Sequence, residues 1–184
     1  MRPVSFGKVV VATAGTPVQL GVSTLNGGIG AHDTQIVVSS AAPFCADMLP
    51  FELHLDAGTA SAEAVMVTAM NGTTFTVQRG IFPNQFPAVA HLTAAPIKAR
   101  FLFTEMFLSG VGGLTGKAWL GSASMTTGGG SGTIKEFEVT PASGLDDTWS
   151  LPVQDNTGDT NRLTDYKLDV AVNGEGLYVT LWVR

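Results

Sequence analysis

The chain has 184 residues and a mass of 19.1 kDa, with 22 glycines, 9 prolines, 45% apolar residues and 10 basic against 15 acidic side chains. That size permits one ordinary domain or two small ones with a real core, and it excludes a disordered, charge-rich chain. A formal net charge of −5, a pI near 5.0 and no cluster of Lys and Arg argue against non-specific binding to nucleic acid or to anionic membrane.

Mean hydropathy is high at +0.25, yet no stretch approaches the roughly 18 to 20 uncharged apolar residues of a membrane span. The richest run, 101–108, is interrupted by Glu105. No extended apolar segment follows Arg2, so the N-terminus does not read as a secretory signal. The single Cys45 cannot form an intrachain disulfide and reads as a buried thiol, which leaves packing to hold the fold.

In chain order, period-two alternation rich in Val, Thr, Ile and Phe predicts strands over 8–13, 17–21, 34–39, 51–55, 62–70, 73–78, 95–98, 100–108, 117–121, 134–139, 148–153, 166–172 and 177–183. Gly, Ser, Asn and Asp clusters punctuate them about every ten residues, the rhythm of an all-β sandwich or barrel. No window carries an apolar stripe of helical period, so helix content is expected to be small. Asn71-Gly72 predicts a type I′ hairpin between 62–70 and 73–78, and Asn173-Gly174 a turn before the last strand. The stretch 122–132, SASMTTGGGSG, has almost no large side chains and is expected to be a mobile loop.

The chain changes character near Ser23 and again near Lys98. The organisation expected is a discontinuous, jelly-roll-like β-sandwich of 1–22 and 99–184, interrupted by a small β-barrel or sandwich module at 23–98. Insertion at an exposed loop is permissive, because loop-closure entropy grows slowly with length.

Candidate chemistry is sparse. In 51–56, FELHLD, the pleat sends Phe51, Leu53 and Leu55 to one face and the metal-capable Glu52, His54 and Asp56 to the other, with His32, Asp33 and His91 as further conceivable ligands. The commoner meaning of that pattern is the solvated outer face of a half-buried sheet, and no metal or cofactor is expected. Residues 155–161, DNTGDTN, place oxygen ligands around a glycine, but Thr164 stands where a calcium loop needs its Glu. No nucleophile elbow, His-Glu-x-x-His or Walker lysine is present, and the chain does not read as an enzyme. Acid is concentrated between 141 and 175, in Asp146, Asp147, Asp155, Asp159, Asp165, Asp169 and Glu175, and reads as a solvated loop face.

The aromatic residues point to assembly. Phe82 and Phe86, each followed by proline, form a loop whose rings either anchor an interface or pack on their own module. Trp119 and Trp182 fall within strand patterns and read as core or intersheet residues, whereas Trp149, after Asp146-Asp147-Thr148, is placed at a sheet edge.

Two separate stretches carry a resemblance to phage virion proteins. Residues 8–20, KVVVATAGTPVQL, resemble the VTVATAGTPVQL opening of small β-rich phage head proteins, and 115–121, TGKAWLG, is similar to their TGKIYVG strand. Residues 137–141 with 151–153, and 172–176 with 181–183, resemble a following hairpin and the closing strand of those proteins. The inner stretch, from 23–25 through 33–38 and 75–80 to Ala90-His91, is similar to a module that recurs in phage head and tail proteins.

The resemblance implies a bacteriophage capsid decoration, or cement, protein: a non-enzymatic structural protein on the outer surface of the virion, made in the host cytoplasm, with the major capsid protein and copies of itself, as a homotrimer, for partners. Neither nucleic acid nor membrane is an expected partner. The candidate interface residues are Arg2, Phe6 and Lys8 on an N-terminal arm, with Phe82, Phe86 and Trp149. A tail or head-fibre component is the structural alternative, and a module adhering to glycan or host surface is the alternative from the binding class, with Phe82, Phe86 and His91 as its platform.

Overall fold

The computed structural model describes residues 2–82, 87–110, 114–138, 148–151 and 161–183, and of the side chains of Thr148, Trp149 and Leu151 it describes nothing. Among these residues there is no α-helix, and the chain is all β. It divides into two compact units, one of Met1–Leu20 with Leu102–Arg184 and one of Gly21–Phe101.

The outer unit opens with β1 (Arg2–Val10) and β2 (Val18–Gln19). The inner unit contributes β3 (Val22–Thr24), β4 (Gln35–Val37), β5 (Phe51–Leu55), β6 (Glu63–Asn71), β7 (Thr74–Gln78) and β8 (Pro96–Arg100). The chain then returns to the outer unit with β9 (Leu102–Phe103), β10 (Glu105–Ser109), β11 (Ala118–Ser122), β12 (Thr133–Phe137), β13 (Thr148–Leu151), β14 (Asn161–Arg162), β15 (Tyr166–Val170) and β16 (Gly176–Val183).

The outer unit holds two four-stranded sheets in the orders β1-β16-β10-β13 and β12-β11-β15-β2, with β9 and β14 as a short separate pair. Its antiparallel pairs are nested: β1 with β16, β2 with β15, β10 with β13 and β11 with β12. Counting those eight strands in chain order, first pairs with eighth, second with seventh, third with sixth and fourth with fifth, which is the strand order of a jelly-roll sandwich.

Alternation places the core. On the first sheet Val4 lies opposite Leu181, Leu181 opposite Met106, and Leu108 opposite Val179. All five are fully buried, as are Ala118, Leu120, Phe137 and Leu168 on the second sheet. Each such Val, Leu, Met or Phe side chain contributes roughly 1.5 to 3 kcal/mol through removal from water.

The inner unit is one six-stranded antiparallel sheet, β3-β8-β5-β6-β7-β4. An antiparallel bridge between Leu25 and Val38, with Asn26 N–H donating to Val37 O and Ser39 N–H to Thr24 O, joins its two end strands and closes a barrel. Closure removes the unpaired edges that an open sheet leaves. Leu25, Ile36, Val38, Leu53, Leu55, Val65, Val67, Phe75 and Ile97 fill the interior, each at most 1% exposed. Phe44 closes over it, stacked 6.0 Å from Phe51 and edge-on 5.4 Å from Phe75.

Several sequence-based expectations need correction. Residues 2–7 are no free arm: β1 runs from Arg2 and is paired along its length with β16, with a bulge between Ser5 and Gly7. Strand β3 pairs Val22 with Lys98, which makes both part of the barrel wall, and the compact inner unit spans 21–101 against the expected 23–98. At the β6–β7 turn only Gly72 takes a positive φ, at 57°, and Asn71 pairs with Thr74, the pattern of a type II′ turn and not type I′.

The stretch 122–132 does pack. Met125 is fully buried, and Gly128 lies so close beneath the Trp119 ring that a Cβ there would meet ring carbon Cε3 at 2.0 Å. Cys45 is half-buried.

Candidate functional site

Among the described residues of the inner unit, one concentrated set of buried charges lies at a single rim of the barrel. Its members sit where strands end or begin: Asp56 just after β5, Glu63 at the start of β6, Arg79 just after β7, and His91 in a bridge with Ile29 ahead of β8. The pleat explains two of these placements. Glu63 shares its parity with the inward-facing Val65 and Val67, and Arg79 shares it with Phe75 and Val77, so both charged side chains extend apolar interior rows.

Arg79 grips Glu63 with two nitrogens, Nε to Oε1 at 2.7 Å and Nη2 to Oε2 at 2.5 Å. The same guanidinium donates to the backbone oxygens of Val89 and Gly30, at 2.5 and 2.6 Å. The Glu63 Oε2 atom also accepts from Val89 N–H at 3.2 Å and faces His91 Nε2 at 3.0 Å. His91 Nδ1 faces Asp56 Oδ2 at 2.7 Å. The side chains of Glu63 and His91 are 0% exposed, that of Arg79 6% and that of Asp56 19%.

Burial alone would raise the Glu63 carboxyl, but hydrogen bonds from Arg79, His91 and Val89 N–H, with the Arg79 charge, outweigh it and hold the group below its ordinary value of 4.5. The network fastens both ends of the segment 79–91 to the barrel. That segment presents Phe82, which is 41% exposed, and the adjoining Leu92 is 82% exposed.

The outer unit uses buried carboxylates in the same way. Asp169 accepts from the N–H groups of Gly15, Gly128 and Val170 at 3.0, 2.6 and 2.9 Å, fixing two loops to β15. Glu175 accepts from Thr115 N–H and Oγ1, both at 2.6 Å, and from Gly116 N–H at 3.2 Å. For Glu175, too, burial acts upward, while the Thr115 and Gly116 hydrogen bonds and the Lys8 charge prevail and lower its pKa. These two residues correct the reading of the acidic stretch as a solvated face: Asp169 is fully buried and Glu175 6% exposed, whereas Asp165 is exposed. Asp146, Asp147, Asp155 and Asp159 lie outside the described residues.

The other sequence candidates are dispersed. Glu52 and His54 share the outer face of β5 and pair with each other, Nε2 to Oε1 at 2.5 Å, while Asp56 turns to His91. Among the described residues no group of three or more His, Cys, Asp or Glu side chains is arranged to hold a metal ion. Arg2 and Lys8 are exposed on β1, and Phe6 is half-buried at its bulge. Trp149 lies in β13 opposite Leu108, on a strand that ends its sheet among the described residues, and Phe86 lies outside those residues.

Sequence reasoning missed the rim network, although the parity of Glu63 and Arg79 was a usable signal. It also missed Phe107 and Tyr178, 40% and 44% exposed on the first sheet of the sandwich, where Tyr178 pairs with Lys8.

Compared with family models, curated proteins and solved structures, the chain gives no match.

Proposed function

We propose that this chain is a non-enzymatic virion structural protein that binds the outer surface of an assembled bacteriophage capsid and stabilises it by bridging capsomers. The observation that carries the reading is architectural. A jelly roll, a form that serves in viral capsid and lectin domains, bears a closed barrel on the connection between its second and third strands. The resemblance of 8–20, 115–121 and the inner stretch to phage head proteins points the same way. So does the use of the buried charges, which are engaged in fastening loops.

Such a protein binds the lattice and not separated capsid subunits, so it shifts the assembly equilibrium toward the shell by mass action. A homotrimer presents several copies of one weak contact, which act together as a strong clamp. The contact surface we assign is the outward face of the first sheet, with Lys8, Phe107 and Tyr178, together with Arg2 at the start of β1.

Co-sedimentation of the purified protein with assembled shells, and separately with unassembled capsid subunits, tests the proposal. Saturable binding to shells alone supports it; binding to neither overturns it. The second reading, adhesion to glycan, is favoured by the exposed Phe82 at the barrel rim. Glycan binding that Phe82→Ala abolishes would replace the first reading.

A further inference from the structure

From the rim network we infer that the inner barrel holds one tightly bound proton, carried by His91 as an imidazolium, and that this proton locks residues 87–91 onto the barrel. The inference is independent of the proposed function, since it rests on hydrogen-bond geometry and charge.

Both ring nitrogens of His91 face carboxylate oxygens, Nδ1 at 2.7 Å from Asp56 Oδ2 and Nε2 at 3.0 Å from Glu63 Oε2. A neutral imidazole carries one N–H and one lone pair, so with both carboxylates ionised one of these contacts would set lone pair against lone pair. An imidazolium donates to both.

Charge gives the same answer from a different direction. Asp56 and Glu63 bring two negative charges and Arg79 one positive, so a neutral His91 would leave a net charge of −1 around side chains that are 0% exposed at Glu63 and His91. An unbalanced charge beside buried groups is strongly destabilising. Protonated His91 brings the sum to zero.

The charged groups around the ring come from every neighbouring strand end. Asp56 follows β5, Glu63 begins β6, and Arg79 follows β7 and reaches the Gly30–Asp33 turn. In that turn the Asp33 carboxylate is engaged by Gly30 N–H at 2.7 Å, and His32 is exposed. Nothing else in the described rim supplies the missing positive charge.

A lock of this kind releases in alkali. The closed site carries a proton that the opened site sheds, so the ratio of open to closed segment rises by up to tenfold per pH unit once release begins. Acid leaves this particular proton in place.

Nitrogen NMR of the histidine rings in the full chain tests the inference. At about pH 7, His91 is expected to carry protons on both nitrogens. In Asp56→Asn the introduced amide donates to Nδ1, so the ring needs only its Nε2 proton, and His91 is expected to become neutral. A single N–H on wild-type His91, or an Asp56→Asn ring that stays doubly protonated, overturns the inference.

The locking half has its own readout. Between about pH 6 and about pH 9, resonances of residues 87–92 are expected to lose their closed-state positions in the wild type and to hold them in Asp56→Asn. Wild-type resonances unchanged over that range while His91 loses its proton would overturn the lock.

Discussion

At the scale of single residues, the inner unit depends on a few buried charges that cannot be removed one at a time. Arg79 is the clearest, because its loss leaves Glu63, fully buried, without its bidentate partner. Breaking a buried pair by removing one member costs about 3 to 5 kcal/mol. Arg79→Ala should therefore lower the unfolding free energy of the inner unit, read from denaturant titration, by an amount of that order, and a loss below about 1 kcal/mol would show the pair to be worth no more than a surface ion pair. The carboxylates set a pH dependence of opposite sense to the His91 lock. Glu63 and Glu175 are both held below the ordinary value of 4.5, so each contributes stability that is present above that value and lost as pH falls through the folded-state value. Thermal midpoints should hold steady down to about pH 5 and then decline more steeply than in Glu63→Gln. Parallel decline in the two proteins would remove Glu63 from the acid response.

At the scale of elements, barrel closure is the decisive feature. The Leu25–Val38 bridge joins the ends of a six-stranded sheet around an apolar interior, so the segment 21–101 has its own core and its own closed backbone pairing. Expressed alone, that segment should fold, with dispersed amide resonances and one cooperative transition, and a disordered spectrum would contradict its autonomy. Strand β1 carries a different expectation. Because Arg2–Val10 pairs along β16, deleting residues 1–7 should lower the stability of the sandwich as well as shell binding. Phe107→Thr with Tyr178→Thr, both exposed on the first sheet, separates the two effects: shell binding should fall while the thermal midpoint changes little, and unchanged binding would remove these two residues from the contact surface.

Much of this level was legible in the sequence. The alternation at 51–55 matched β5 residue for residue, because its one buried face enforces period two, and β6, β7, β15 and β16 lay within one or two residues of their expected bounds. What escaped notice had no such face. Strand β1 starts six residues early because its first part contains Pro3 and a bulge that break the alternation, and β3 and β14 are too short to show any period. The loop 122–132 was misjudged for a related reason. One buried methionine and a glycine under an indole ring fix it, and neither leaves a periodic trace. The rim network is built across four strand ends, so only the inward parity of Glu63 and Arg79 marked it.

At the scale of the whole molecule, a jelly roll with an inserted barrel is what the proposed lattice-binding role has to work with. No helix among the described residues is long and apolar enough to cross a membrane, and the proposed contacts are aromatic and basic residues of the first sheet. A protein that stabilises a shell by bridging capsomers has to be present in proportion to the lattice. The most direct measurement is the number of copies of this chain per major capsid subunit in purified particles, by quantitative mass spectrometry. A ratio of about one or about one-third is expected, as a site repeated over the whole lattice requires. A few copies per particle would contradict it and place the chain in the tail, neck or fibres, and absence from particles would withdraw the virion role altogether.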